Sequence, residues 1–309
     1  MQSILNVALP VFGLILAGYI AAKLKLLGAS STEALNKFVY YFALPAMLFL
    51  VMFRAPLERV VDREFLIAFC APLGVVFVIT VVWGRLVWRL RLADLSVQSL
   101  ASCYGNVGYM GVPLVSLAYG PEALPYVIAA TILTGSIMFG AGIMGVEADL
   151  RSGQGALKTF VGVLGTVARN PLIVAPAAGA AWALSGVPLF GPLKTFAELM
   201  GASASPCALF ALGMFLAAQP LRGALAEVTW LTVLKLAVAP IATYVMLVIL
   251  GEEHSLVGRV ALLLNALPTG AGAFVLAQKY DRLVAQTSAT ILVSTILSVL
   301  TVSALLAVG

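Results

Sequence analysis

The chain is short of charge. Of its 309 residues only 10% are Asp, Glu, Lys or Arg, against the roughly 25% that a soluble domain uses to face water. That shortage excludes a water-soluble globule of this size. Histidine is scarcer still, with His254 alone in the chain; a zinc protease pairing of histidines is therefore absent. Three cysteines, Cys70, Cys103 and Cys207, all fall inside apolar stretches. An odd number so placed makes neither a disulfide framework nor a metal site, and the expectation is three small buried hydrophobes. The 13 carboxylates lie in connections or near segment ends, from Glu33 to Asp281. None is placed deep, where an intramembrane proton relay or an aspartyl protease keeps one. The net charge of +5 comes without a basic stripe, so nucleic acid is not an expected partner. No residue set suggests a resident cofactor, a metal or a catalytic group.

What the chain has is apolar length. Hydrophobic residues make up 62% and the mean hydropathy is +1.07. A spanning helix takes about 20 apolar residues, so ten would use roughly two thirds of the chain. Ten segments are read, at 3–22, 32–53, 64–88, 95–119, 122–147, 159–184, 195–217, 227–250, 257–279 and 284–307. The expected fold is an all-α polytopic membrane protein of ten transmembrane helices in a lipid bilayer. Met1-Gln2-Ser3 puts no basic residue ahead of the first segment, while Lys23 and Lys25 follow it; a retained helix is expected rather than a cleaved signal. With the N-terminus outside, the inner connections hold Lys23, Lys25, Arg85, Arg89, Arg91, Arg151, Lys158, Arg222, Lys279 and Arg282, and the outer ones only Arg54, Arg59, Arg63, Lys194 and Arg259. Positive residues gather inside, so both termini are expected outside, in the plasma membrane, which for a bacterium is the inner membrane.

A repeat runs through the chain. Shifting it by 161 residues lays Pro10 on Pro171, Gly18 on Gly179, Pro45 on Pro206, Leu48-Phe49 on Leu209-Phe210, Gly111 on Gly272 and Tyr119 on Tyr280. Pro72 departs from this offset, since Pro240 stands 168 residues on. The halves are then 1–150 and 151–309, joined through the loop-like Asp149–Gly155. Five spans per half force the second repeat to insert inverted, an architecture of transporters that bind near mid-membrane.

The fourth and ninth segments, partners in this repeat, are poor continuous helices. The fourth carries Gly105, Asn106, Gly108, Gly111 and Pro113; the ninth reads Asn265-Ala266-Leu267-Pro268-Thr269-Gly270-Ala271-Gly272. Gly costs about 1 and Pro about 3 kcal/mol relative to Ala within a helix. Broken backbone is tolerated in hydrocarbon only where it lines a cavity or is buried in protein. A half-helix beginning at such a break offers free N–H groups and a positive dipole end to an anion, and the amides of Asn106 and Asn265 add donors. Gln98, Ser102, Tyr104 and Tyr109 are further cavity polars. Lys235, nine residues into the eighth segment, either draws anions inward or snorkels to the inner surface. Lys37, four residues after Glu33, reads as a structural ion pair.

These residues resemble the auxin efflux carrier family, which includes plant PIN-type carriers and bacterial malonate-type permeases. Asn106 with Met110-Gly111-Val112-Pro113-Leu114 is similar to its fourth-helix signature. Ala266-Leu267-Pro268-Thr269-Gly270 through Phe274-Val275-Leu276-Ala277 to Tyr280 is similar to its ninth, and Asn36-Lys37-Phe38-Val39 with Ala43-Leu44-Pro45 to its second. The resemblance implies broken helices 4 and 9 crossing at mid-membrane and alternating access for a small organic anion. It places the carboxylate near the crossover, at Asn106 and around Pro113. The substrate-binding residues expected at the two breaks are Asn106, Val107, Gly108, Tyr109, Gly111 and Pro113 at the first and Asn265, Pro268, Thr269, Gly270 and Gly272 at the second, with Lys235. Members commonly form dimers, so a homodimer is among the expected assemblies. Transport driven by the membrane potential without proton coupling is the leading expectation. A sodium-coupled organic-anion symporter of the bile-acid or arsenite type is the alternative. A membrane-embedded enzyme lacks its base and its deep carboxylates, and a sensor lacks a signalling segment.

Overall fold

The structure is a computed structural model that describes residues 8–54, 62–150, 169, 171–219 and 224–308. The N-terminal Met1–Ser3, the central connection from Arg151 through Lys158, the beginning of the sixth segment from 159, and Glu58, Arg59 and Arg222 lie outside the described residues. Among the described residues there is no sheet, only one isolated antiparallel bridge. The helical runs are α1 Leu9–Lys23, α2 Ala29–Arg54, α3 Arg63–Leu86, α4 Leu92–Cys103, α5 Val107–Tyr119, α6 Pro121–Leu150, α7 Pro171–Leu184, α8 Gly191–Ala218, α9 Leu225–Leu250, α10 Leu256–Asn265, α11 Ala271–Tyr280 and α12 Val284–Val308. Six of them, α2, α3, α6, α8, α9 and α12, are long and apolar enough to cross a bilayer.

Several runs contain a wide, π-helical turn: Val39–Ala43 in α2, Val107–Gly111 in α5, Leu133–Met138 in α6 and Leu234–Val238 in α9. Three have a visible cause. Pro45, Pro113 and Pro240 each follow two residues after the turn closes. A proline lacks an N–H and crowds the carbonyl four residues back, which belongs to Tyr41, Tyr109 and Leu236, inside those turns. The ladder adjusts by reaching one residue further, as when the N–H of Leu44 bonds the Val39 carbonyl and that of Ala239 the Leu234 carbonyl.

The chain divides into two compact units, each assembled from both sequence halves. One comprises 1–62, 108–129 and 167–218, the other 63–107, 130–166 and 219–309. In the first, α1 packs along Ala204–Ala218 and α7 along Leu44–Arg54. Bare glycine surfaces let the backbones approach. A Cβ on Gly18 would stand 2.0 Å from the Phe210 carbonyl oxygen, and one on Gly179 would stand 2.3 Å from that of Phe49. Val39, Ala43, Leu44, Ala204 and Ala208 form a buried cluster, with Tyr109 against it. Lys37 and Glu33 pair at 2.6 Å with both side chains largely exposed, a pair of small energetic worth.

In the second unit Ala93, Val97 and Leu100 of α4 recur at helical spacing and meet Ala273, Leu276 and Ala277 of α11, with Val146 of α6 between them. The Trp83 and Trp230 rings stack at 4.6 Å, joining the end of α3 to the start of α9. The expectation for the cysteines holds only in part. Cys103 is buried, Cys207 is half-buried, and Cys70 is exposed on α3, where a small apolar side chain can face lipid as well as a core.

Candidate functional site

The second unit brings two helix ends together. α4 stops at Cys103 because Tyr104 turns to an extended conformation. Gly105 and Asn106 follow it outside the helix before the wide turn opens α5. α10 stops at Asn265, and Pro268 keeps the next residues from continuing it. The two extended pieces pair. The Asn106 N–H donates to the Pro268 carbonyl at 2.9 Å, and the Gly270 N–H donates to the Tyr104 carbonyl at 2.8 Å. Gly105 and Thr269 face each other in this antiparallel bridge. The backbone groups released by each break thus satisfy those of the other, as burial demands.

Side chains tie the pairing down. Thr269 is fully buried; its hydroxyl donates to the Ala101 carbonyl at 2.7 Å, closing an end of α4, and its N–H donates to the Ser294 hydroxyl of α12 at 3.2 Å. The Asn265 amide donates to the Phe69 carbonyl of α3 at 3.1 Å and to the Thr243 hydroxyl of α9 at 2.9 Å. Phe69 follows Ala68, whose carbonyl Pro72 leaves without its helical donor. The Tyr104 ring covers Gly270 and Gly272: a Cβ on either would meet that ring at 2.9 or 2.7 Å, so glycine is what lets the ring lie flat against the break.

Three polar residues stand out. Lys235, which emerges from the wide turn of α9, is 0% exposed and donates to the Asn265 carbonyl at 2.8 Å. It does not snorkel; a stem that ended in the headgroups would leave the nitrogen wet. Asn106 is buried, and its amide nitrogen has no hydrogen-bond partner, unlike the amide of Asn265. A buried amide N–H left open costs about 1–3 kcal/mol, a cost a ligand acceptor would remove. Gln98 in α4 is likewise buried with both amide atoms unpartnered.

Of the residues singled out in the sequence, Asn106, Val107, Lys235, Asn265, Pro268, Thr269, Gly270 and Gly272 belong to this unit. Gly108, Tyr109, Gly111 and Pro113 belong to the first, where Gly111 and Pro113 are buried at the start of α5. Thr243, Ser294 and the Phe69 and Ala101 carbonyls are hydrogen-bond partners of the breaks that the sequence does not reveal. Hydroxyls in the middle of apolar runs were the available signal for the first two.

The sequence profile described as membrane transport protein matches residues 3–152 and 159–306. The chain belongs to this family, the auxin efflux carrier family. It is a membrane transporter, not an enzyme. Over 306 residues, 99% of this chain and 96% of the other, it is 34% identical to the "Putative malonate transporter" of Rhizobium meliloti (strain 1021). An uncharacterized transporter of Methanothermobacter thermautotrophicus is 27% identical over 293 residues, 94% and 93% of the two chains. The uncharacterized transporter YfdV of Escherichia coli (strain K12) is 25% identical over 279 residues, 88% and 87%.

Proposed function

We propose that this transporter carries a small carboxylate, binding it at the paired breaks and releasing it by alternating access. The observation that carries the reading is the open, buried amide of Asn106 beside the start of α11, a helix whose N-terminus no side chain caps. Both features favour a negatively charged acceptor. The name of the Rhizobium relative makes malonate the first substrate to try. Ten spans in two inverted five-helix repeats, crossing at the fourth and ninth, fit the reciprocal contacts of Gly18 and Gly179. Both termini outside fits the distribution of basic residues. Of the two asparagines, Asn106 is the one we assign to substrate, because both donors of Asn265 are already engaged.

Among the described residues no Asp or Glu is buried as a whole; the enclosed carboxylate oxygens of Glu227 and Glu253 lie at the start of α9 and in the connection after it, away from the paired breaks. Glu198, eight residues into α8, pairs with Arg54 at the surface. This supports transport without proton coupling, in which a monoanion leaving at −100 mV gains about 2.3 kcal/mol from the field.

Thermal-shift titration of the purified protein with malonate and other carboxylic acids tests the proposal. Asn106→Ala is expected to weaken binding by about ten- to a hundredfold, the worth of a hydrogen bond to a charged group. Unchanged ligand shifts in the variant would remove Asn106 from the site. Uptake driven by a pH gradient at zero potential would refute the energetic part.

A further inference from the structure

Two helices end beside Lys235 with their carbonyls, and each such end carries the equivalent of roughly half a negative charge. One end is that of α10, where the lysine nitrogen bonds the Asn265 carbonyl at 2.8 Å. The other is that of α4: a Cβ built on Gly105 would lie 3.5 Å from the same nitrogen, so the side chain rests on both breaks. Among the described residues Lys235 is the only charged residue buried as a whole, and no Asp or Glu joins it there. Its binding partner is therefore backbone, and that backbone is the kind that transporters use for a different purpose. Unwound carbonyls and half-helix C-termini are where coupled carriers hold sodium. The wide turn at Leu234–Val238, forced by Pro240, puts the lysine at this point from a third helix.

We propose that Lys235 is a built-in cation: its ammonium takes the place of a coupling sodium ion at the paired breaks. The Asn265 carbonyl is met by a charge that never leaves, so the wild-type protein has no use for sodium. Removing the side chain opens a site for a small monovalent cation with that carbonyl among its ligands. This inference rests on the carrier function proposed above, but it is read out by stability rather than by uptake, so each fails separately.

The test is thermal unfolding of the full chain in detergent, titrated with NaCl against choline chloride at constant ionic strength. Wild type is expected to give no saturable response to sodium. Lys235→Ala, which empties the space, should be less stable in choline chloride. It should recover by about 5–10 °C as sodium saturates, the shift expected for a ligand near a hundred times its Kd. Lys235→Met fills the volume without charge and should remain insensitive to sodium. A saturable sodium response of the wild type overturns the proposal, as does an alanine variant no more responsive than the methionine one. If Lys235→Ala is recovered folded in neither salt while Lys235→Met is, the site does not accept sodium and the proposal falls.

Discussion

Asn265→Ala will lower the melting temperature by about 5–15 °C. The substitution deletes two buried hydrogen bonds, to the Phe69 carbonyl and the Thr243 hydroxyl, and leaves a small void among buried neighbours. Together these cost about 2–4 kcal/mol, and each kcal/mol moves the midpoint of a protein near this size by about 2–4 °C. Asn106→Ala should behave in the opposite way. Its amide nitrogen has no hydrogen-bond partner within the protein, so its removal takes away an unsatisfied group and leaves stability unchanged or slightly higher. On the function proposed above, one asparagine holds the break and the other binds the ligand. Thermal unfolding of both variants, followed by size-exclusion fluorescence with and without malonate, separates the roles. An Asn265→Ala protein as stable as wild type, beside an Asn106→Ala protein that collapses, would reverse the assignment.

The apolar runs were legible to within a few residues wherever nothing interrupts them. The third was read as 64–88 and is Arg63–Leu86, the eighth as 227–250 and is Leu225–Leu250, and the last as 284–307 and is Val284–Val308. Twenty apolar residues leave a signal that no neighbour can cancel. The fourth and ninth were read as runs of 95–119 and 257–279 marked by Gly, Asn and Pro, and each of those runs holds two helices with an extended piece between. Composition indicates where helix fails, because Gly and Pro carry their cost locally.

What fills the failure was not legible. Asn265 meets Phe69 across 196 residues of sequence, and it meets a main-chain carbonyl, which every residue possesses. Of the two readings open for Lys235, burial removes snorkelling, and the nitrogen is held by a main-chain carbonyl: a charged stem long enough to snorkel is also long enough to reach a carbonyl in the interior. The compact units were equally hidden. Proline and glycine spacing bears on the proposed repeat, whereas packing decides which helices meet, and each unit here takes helices from both halves of the sequence.

Gly18→Ala and Gly179→Ala will each destabilise the protein, and by comparable amounts. The new methyl carbon would sit 2.0 Å from the Phe210 carbonyl oxygen in one case and 2.3 Å from the Phe49 carbonyl oxygen in the other. Both distances are far inside van der Waals contact, and the obstacle is main chain that cannot rotate aside. Overpacking a tight site costs about 1–3 kcal/mol and more where backbone must move. The two contacts are one contact made twice: adding 161 carries Gly18 to Gly179 and Phe49 to Phe210, so each half lends its glycine to the other's phenylalanine. Gly13 provides the control in the same helix as Gly18, since a Cβ there meets nothing within 4 Å. Gly13→Ala should therefore gain up to about 1 kcal/mol from helix propensity alone. Melting curves of the three variants in one detergent decide the matter. A Gly18→Ala protein as stable as Gly13→Ala would mean that α1 and Ala204–Ala218 are not in backbone contact. A loss at Gly18 without one at Gly179 would mean that the two halves do not pack as copies.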